Sequence, residues 1–353
     1  MDSMIIRGKK YNYVWGDEFN EDTIDYVPLE QQIQAPKKWK PTRMIQYYPD
    51  YDIPTRPEDM KRFNYIENGE LVLKAGCFDW SKNYKVGDKG LTRHTITEAH
   101  KYADGGVLAT RDTMVFRRGY AEIRAKMPFK NGAWSAWWTR SANSPIIKYP
   151  EFGGTDWKDP IYNLEIDIIE IWASQVAKVY PNIHKWYSNT FVSDGTTDGK
   201  GIGKVYDYDG NDVTDQITEK QFYEYKQGKA HQFTSNIGGI YEKDARATYR
   251  EVENPDEYHT YGFLWTEEEM TMSIDGVEYF TMDITKDFDG YNDGKYGFNQ
   301  YMYFLFDCHM RTPGSGKRID RCFGGTGDTN DIEMRIEYIR LYQEEGKEDI
   351  IIK

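Results

Sequence analysis

Positions 164–171 of the chain read Leu-Glu-Ile-Asp-Ile-Ile-Glu-Ile, and the apolar residues around the three carboxylates predict a β-strand, not a solvated acidic loop. Side chains alternate between faces along a regular strand, so Glu165 and Asp167 share one face while Glu170 lies on the other. A β-bulge after Asp167 would return Glu170 to the face of the other two acids. Such crowding raises the pKa of at least one carboxyl group, as general acid/base or nucleophilic chemistry requires. The alternative is a strand with one solvated face and an incidental acidic stripe.

The composition permits a large hydrophobic core and limits the classes of partner. The chain has 353 residues, 39% of them hydrophobic, which allows roughly one to three domains. Its formal net charge of -13 argues against nucleic acid and anionic membrane surfaces as partners. The 29 Tyr, 16 Phe and 10 Trp can fill a β-sheet core, and they also provide flat surfaces on which sugar rings stack.

The cysteines and the chain start say little about the compartment. Cys77, Cys308 and Cys322 are an odd set, so Cys308 and Cys322 either close a short disulfide loop or stay as free buried thiols. No uncharged apolar run approaches about 18 residues, so we expect no transmembrane helix. Residues 1–10 lack the apolar segment of a signal peptide, which fits either a cytoplasmic protein or a chain numbered after a removed leader.

Period-two patterns recur along the chain and predict an all-β fold. In residues 120–127 apolar and charged side chains alternate, and Asn131-Gly132 then turns the chain into another strand. Asp275-Gly276 separates two further alternating segments and predicts a β-hairpin. The sequence shows no heptads, internal repeats or Rossmann-type βαβ alternation. We therefore expect an antiparallel β-sandwich in a single domain, 1–353, with long insertions near 36–62 and 193–256.

Six segments, in order along most of the chain, carry a family resemblance. Residues 15–20 resemble W-x-D-E-F-N, residues 120–126 an E-x-R-x-K strand, and residues 133–138 a W-P-A-F-W run in which Ser135 replaces Pro. Residues 165–170 match the bulged motif E-x-D-x-x-E, residues 258–277 an F-H-T-Y…W-T…D-G-V hairpin, and residues 336–342 a closing V-D-Y-V-R-V-Y strand. In these motifs the chain resembles glycoside hydrolase family 16, the enzymes that include laminarinases, lichenases, agarases and carrageenases.

The resemblance implies a fold and a reaction. The fold is a jelly-roll β-sandwich of two antiparallel sheets with a concave substrate cleft. The reaction is endo-acting hydrolysis of a β-linked polysaccharide with retention of configuration, and it requires no catalytic cofactor. By motif position, Glu165 is then the nucleophile and Glu170 the general acid/base, while Asp167 hydrogen-bonds Glu165 and modulates both titrations.

Aromatic and polar residues on the strands near the acids are the candidate substrate-binding residues. Parity places Trp138 and Arg140 on one face of their strand and Trp137 on the opposite, core-facing side. The full candidate set is Trp134, Trp138, Arg140, Trp172, Asn182, His184 and Trp186. The alternatives are that Trp138 packs between the sheets, that His184 is a structural histidine, and that Arg140 pairs with an acid instead of binding a polar or anionic sugar substituent.

A structural calcium ion is the one metal that the resemblance suggests. Many family members hold Ca²⁺ on the convex face, and the corresponding positions here are near Glu18, Gly69 and Glu337. Glu337 stands where the family usually has Asp, and the alternative is that Glu337 is a solvated surface acid.

Two features of the sequence favour different substrate classes. Residues 303–307 depart from the N-L-x-x-G-G ending of laminarinases and favour agarase or carrageenase relatives, whereas the negative net charge favours a neutral glucan. We expect a β-1,3- or mixed-linkage β-glucan, with an algal galactan hydrolase, a transglycosylase and a non-catalytic carbohydrate-binding jelly roll as alternatives. A polysaccharide substrate implies a secreted protein in an extracellular, cell-surface or periplasmic location, and we expect a monomer.

Overall fold

The computed structural model describes a core of strands together with several connecting segments. The residues described are 3–21, 24, 40–41, 63–77, 103–110, 113–130, 132–142, 161–171, 177–188, 191–193, 205–207, 212–216, 249–285, 298–310 and 332–352. Most of the two expected insertions, 36–62 and 193–256, therefore lies outside the described residues, and the single-domain division stays a prediction. Within these ranges no helix is long and apolar enough to cross a membrane.

The described secondary structure is almost entirely β. A short 3₁₀ helix spans Thr214–Gln216. In chain order the strands are β1 (Ser3–Ile6), β2 (Lys9–Asp17), β3 (Lys40–Pro41), β4 (Asn64–Glu67), β5 (Glu70–Cys77), β6 (Ala103–Gly105), β7 (Val107–Ala109), β8 (Met114–Phe116), β9 (Gly119–Lys126), β10 (Ala133–Ser141), β11 (Ile161–Glu170), β12 (Lys178–Ser188), β13 (Phe191–Ser193), β14 (Val205–Asp207), β15 (Arg250–Glu251), β16 (His259–Trp265), β17 (Glu269–Ile274), β18 (Val277–Asp283), β19 (Met302–Met310), β20 (Ile332–Glu344) and β21 (Ile350–Ile352).

Two antiparallel sheets form the sandwich. The back sheet has the order β1-β2-β20-β9-β16-β17-β18, and β5 extends it beside β20. The front sheet has the order β15-β12-β11-β10-β19-β7-β3. Strands far apart in sequence lie side by side, as β20 does between β2 and β9, which is the connectivity of a jelly roll. The predicted all-β, jelly-roll sandwich is confirmed.

The period-two patterns explain why the back sheet has one wet face. Along β9 the apolar side chains of Ala121, Ile123 and Ala125 are buried, and the charged ones between them are partly exposed. Asp275 and Gly276 both have positive φ, 50° and 77°, which is the geometry of a tight hairpin turn between β17 and β18. This predicted hairpin is confirmed.

Aromatic residues from both sheets fill the core between them. Trp137 is fully buried there, with its ring centroid 5.9 Å from that of Phe304, and Trp15 of the back sheet stacks on Phe304 at 6.1 Å. Trp138, one residue later, belongs to a separate apolar cluster with Ala136, Tyr303 and Leu305. This separation agrees with the predicted parity, in which Trp137 faces the core and Trp138 the opposite face of the front sheet.

The structure describes the state of Cys308, one of the two cysteines considered for a disulfide bond. Cys308 is a buried free thiol whose Sγ lies 3.6 Å from the carbonyl oxygen of Ile332. Burial raises the pKa of this thiol to about 12, so it stays protonated and unreactive. Of the two alternatives for Cys308, the structure favours the free buried thiol.

A β-bulge interrupts β11 after Asp167. Across β10, Asp167 pairs with Trp138 and Ile169 with Trp137, so Ile168 is the extra residue, and β12 shows the same shift. The predicted bulge is confirmed. Tyr279 of the back sheet donates its hydroxyl proton to the carbonyl oxygen of Ile168 at 3.1 Å. Burial raises the pKa of Tyr279, so the hydroxyl keeps the proton that it donates.

We expect the substitution Tyr279→Phe to lower the free energy of unfolding by about 1–3 kcal/mol, because it leaves a buried carbonyl group without its donor. Urea unfolding of both proteins measures this difference. Tyr13→Phe is the control, since the Tyr13 side chain is 38% exposed and should change stability by less than about 0.5 kcal/mol. Equal stability of the Tyr279→Phe protein and the parent would show that the bulge needs no donor from the opposite sheet.

Candidate active site

The bulge places three acidic side chains on one face of the front sheet, here called the acidic face. Glu165, Asp167 and Glu170 lie opposite positions 140, 138 and 136 of β10, which alternate along that strand. Directly opposed residues of antiparallel strands point to the same side, so the three acids share one face. Ile166 and Ile169 point the other way and belong to the core between the sheets.

Glu170 is buried and receives hydrogen bonds from two neighbouring strands. The indole Nε1 of Trp134 donates to Oε1 at 2.9 Å, and the amide Nδ2 of Asn182 donates to Oε2 at 3.4 Å. These contacts hold the carboxyl group in one orientation on the acidic face. Both donors belong to the predicted set, and the structure brings them together at the predicted general acid/base.

Asp167 lies between the other two acids and is also buried. Burial, and next to it the negative charge of Glu170, raises the pKa of Asp167 well above its ordinary range. Asp167 therefore tends to keep a proton where an exposed aspartate would lose it. Glu165 is more accessible, with an intermediate degree of exposure. The three acids thus occupy unequal environments, which is the condition for giving them different roles.

Trp138 forms part of the floor of the acidic face. Only 6% of its surface is exposed, and it packs against Tyr303 and Leu305 on the same side. Its Nε1 donates a hydrogen bond of 2.6 Å to Oδ2 of Asp307. The apolar cluster provides the kind of surface against which the C–H face of a sugar ring packs.

Asp307 is an acidic residue of this face that sequence reasoning did not include in the site. It is buried and pairs with Ala136 of β10. Ala136 pairs with Glu170 on its other neighbouring strand, so Asp307 and Glu170 flank the same residue. Burial is the main cause that raises the pKa of Asp307 well above its ordinary range; the hydrogen bond from Trp138 opposes this rise, and nearby acids add to it. A signal was present in the sequence, because Asp307 alternates with the core residues Phe304 and Phe306 in an otherwise apolar strand.

The remaining predicted substrate-binding residues are described unevenly. Arg140 is partly exposed and lies opposite Glu165 in the register of β11. Trp172 lies outside the described residues. For His184 and Trp186 the backbone is described but the side chains are not, and the backbone of His184 lies opposite Glu165 on β12.

The three calcium candidates do not form a metal site in the described structure. Both oxygens of Glu18 accept hydrogen bonds from Arg340, at 2.8 and 2.7 Å. Oε2 of Glu337 accepts one from Arg124 at 2.7 Å, and Gly69 lies in the tight turn between β4 and β5. Since each carboxylate already faces a guanidinium group, these residues do not fit a calcium ion as they are arranged. The described part of the chain contains no group of three or more potential metal ligands.

Comparisons with known proteins agree with the geometry. No protein-family model matches this sequence. The structure of SCLam, a non-specific endo-β-1,3(4)-glucanase from family GH16, is similar with a TM-score of 0.54 and 20% identity, over 97% of this chain and 94% of that chain. The catalytic domain of an endo-1,3-β-glucanase (laminarinase) from Thermotoga petrophila RKU-1 gives a TM-score of 0.51 and 18% identity, over 96% and 100%. The fold is that of glycoside hydrolase family 16.

Two further proteins are similar at the same level of sequence identity. A structure reported for endo-acting O-glycanases that human gut bacteria express to initiate mucin breakdown has a TM-score of 0.53 and 20% identity, over 96% of this chain and 93% of that chain. A curated relative, Glucan endo-1,3-beta-glucosidase A1 of Niallia circulans, is 20% identical over 349 residues, or 95% of this chain. The chain spans 38% of the length of that curated relative. At these identities the likeness establishes the fold, and a fold alone does not determine the substrate.

We expect Asp167→Asn to stabilise the protein increasingly as the pH rises above about 4, the ordinary range of an aspartate. The raised pKa of Asp167 means that the unfolded chain loses this proton at lower pH than the folded protein does. The stability associated with the protonated Asp167 is therefore lost as the pH rises towards its folded-state pKa, by at most about 1.4 kcal/mol per pH unit. Urea unfolding between pH 4 and 8 measures the difference between the two proteins.

Asp275→Asn is the control, and we expect it to show the opposite pH trend. Burial of Asp275 opposes ionisation, but hydrogen bonds from His259 and from the backbone N–H of Thr260 lower its pKa overall. Its carboxylate therefore contributes stability above pH 4, and the substitution should destabilise the protein there. Parallel pH trends for the two variants would contradict the environment assigned to Asp167.

Proposed function

We propose that the protein is an endo-acting glycoside hydrolase that cleaves β-1,3- or mixed-linkage β-glucan with retention of configuration. The observation that carries the proposal is the bulge of β11, which brings Glu165, Asp167 and Glu170 to one face of the front sheet. A non-catalytic binding module gains nothing from crowding buried acids, because burial and mutual repulsion destabilise their ionised forms. Retaining glycosidases use two carboxyl groups beside the scissile bond, and this face supplies both.

In the proposed reaction Glu165 and Glu170 act in turn. Glu170, protonated, donates its proton to the glycosidic oxygen while the carboxylate of Glu165 attacks the anomeric carbon, so that the bond to the leaving sugar breaks and a glycosyl-enzyme ester forms. Glu170, now ionised, then takes a proton from a water molecule whose oxygen attacks the same carbon and releases Glu165. Two inversions at that carbon give net retention.

The environments of the two glutamates support this division of roles. Glu170 is buried and held by the indole of Trp134 and the amide of Asn182, so its proton can be aimed at a fixed position. Glu165 is more exposed, so a sugar bound on this face can reach its carboxyl group. Asp167, with its raised pKa, can keep a proton between them and donate a hydrogen bond to the Glu165 carboxylate.

The proposed sugar-binding surface lies on the same face of the front sheet. Trp138 and its apolar neighbours Tyr303 and Leu305 provide a flat floor next to Asp167 for the C–H face of a sugar ring. Trp172, His184 and Trp186 stay predictions for the walls of the cleft. Arg140, opposite Glu165, is assigned to a polar substituent of the bound sugar.

The choice of glucan rests on two observations. The glucanases named above share the fold over almost the whole chain. The net charge of -13 also disfavours a densely sulfated polysaccharide. Since the substrate is a large extracellular polymer, we infer that the protein acts outside the cytoplasm, as a secreted monomer. Calcium has no part in this proposal, because Glu18 and Glu337 are paired with arginines.

We expect Glu165→Gln and Glu170→Gln each to lower kcat by about 10²–10⁴-fold or more while the protein stays folded. Each substitution keeps the side-chain shape and removes the group that ionises. Reducing-sugar release measures activity, and thermal unfolding confirms the fold. Glu257→Gln, at an exposed position two residues before β16 of the back sheet, should retain parental activity. Full activity of either site variant would refute the assignment.

A substrate panel tests the proposed specificity. The protein is incubated with laminarin, barley β-glucan, agarose, porphyran, carrageenan and mucin O-glycans, and the products are sized over time. We expect intermediate oligosaccharides from laminarin or barley β-glucan first, with the β-anomer appearing first by ¹H NMR. Products from a galactan or from mucin alone would replace the glucan assignment, and longer products formed with added acceptor sugar would indicate a transglycosylase.

A further inference from the structure

Asp307 is a buried acid to which the proposed reaction gives no role. Only 5% of its surface is exposed, and it lies on β19 between the buried residues Phe306 and Cys308. Across the front sheet Asp307 pairs with Ala136, and Ala136 pairs with Glu170. Asp307 and Glu170 therefore lie in one row, two strand spacings apart, or roughly 10 Å between their backbones.

Both carboxyl oxygens of Asp307 face a neighbouring side chain. Oδ2 accepts the hydrogen bond of 2.6 Å from Nε1 of Trp138, and Oδ1 lies 3.5 Å from Nε2 of His309. A Trp indole has a single donor, so this one contact fixes how the ring is turned about its long axis. The ring that forms the floor beside Asp167 is thus held from its edge by Asp307.

The charged and titratable groups near Asp307 come from its own strand and from β10, β11 and β12. His309 lies on the same strand, and β10 contributes Arg140. From β11 the acids are Glu165, Asp167 and Glu170, and each of them raises the pKa of Asp307. On β12, Tyr180 lies opposite Glu170 and the backbone of His184 opposite Glu165. The paired segment of β7 contributes Val107, Leu108 and Ala109, none of which titrates.

We propose that Asp307 is a positioning residue of the glycosidase site, which holds the Trp138 indole in place as part of the sugar-binding floor. The inference rests on the proposed function, because Trp138 has its role only there. The hydrogen bond from Nε1 to Oδ2 keeps the indole ring in its position beside Asp167. Asp307 does not touch the reacting atoms in this scheme and acts through Trp138.

The first test does not depend on any enzymatic activity. In protein labelled with ¹⁵N-tryptophan, the Nε1–H resonance of Trp138 is assigned by its loss in Trp138→Phe. We expect this resonance to shift with pH as Asp307 titrates, and Asp307→Asn to lose most of that shift. A resonance that responds to pH equally in the parent and in Asp307→Asn would overturn the hydrogen bond from Trp138 to Asp307.

The second test is kinetic and compares KM with kcat. Asp307→Asn keeps an acceptor for Trp138, so KM should stay within about twofold of the parental value. Asp307→Leu removes the acceptor, and KM should rise about tenfold, because a buried indole N–H is left unpaired. Thr139→Val, at a buried position on the core-facing side of β10, is the control and should leave KM within about twofold of the parental value.

The outcomes distinguish this inference from the proposed function. A KM in Asp307→Leu that stays at the parental value would overturn the inference while leaving the glycosidase assignment intact. If Asp307→Leu does not fold, the Asn variant and the Trp138 resonance still decide the matter. If the parent hydrolyses no member of the substrate panel, the proposed function fails, and the resonance experiment still tests whether Asp307 holds Trp138.

Discussion

The extra residue at Ile168 is the constraint on which the candidate site depends. Three acids at spacings of two and three residues cannot share a face of a regular strand, because its side chains alternate with a period of two. The bulge removes that conflict, and both neighbouring strands show the shifted register. It also turns the Ile168 carbonyl towards the back sheet, where the Tyr279 hydroxyl meets it. The position of the acids is therefore fixed partly by a contact across the core.

The hydrogen bonds to the buried acids share a chemical character. Glu170 receives them from an indole and an amide, and Asp307 receives one from a second indole. Neutral N–H donors orient a carboxyl group without the strong preference for the ionised form that a guanidinium would impose. On the back sheet the opposite holds, since Arg340 binds both oxygens of Glu18. In these examples the carboxylate on the back sheet is paired with a cation, whereas the buried acids of the acidic face receive hydrogen bonds from neutral donors.

Local pattern in the sequence was sufficient for much of the fold and part of the site. The alternation along β9, the Asp275-Gly276 turn, the bulge after Asp167 and the opposite orientations of Trp137 and Trp138 all follow from the two-residue period of a strand. These features depend on neighbours in sequence. Parity alone indicates which side of a strand a residue occupies, and it gave the correct side in each of these cases.

Residues that depend on non-local pairing could not be found in this way. Asp307 is more than a hundred residues from the bulge, and only the placement of β19 against β10 brings it to the acidic face. The expected calcium site does not fit the described residues for the same reason. The pairing of β20 with β2 brings Arg340 to Glu18, and its pairing with β9 brings Arg124 to Glu337. A carboxylate looks alike in sequence whether its partner is an arginine, a metal ion or another acid.

The acidic face opposes the stability of the sandwich that carries it. Asp167 and Asp307 are both buried with raised pKa values, so each makes the folded state less favourable as the pH rises from acid to neutral. The core between the sheets must offset this, and it is built from large, fully buried side chains such as Trp137, Phe304 and Phe306. β10 and β19 supply these core residues, while Asp167 on β11 and Asp307 on β19 lie on the opposite face of the same sheet. The central strands of the front sheet therefore stabilise the fold with one face and carry the buried acids on the other, which places the candidate site at the centre of the sheet and not on its edges.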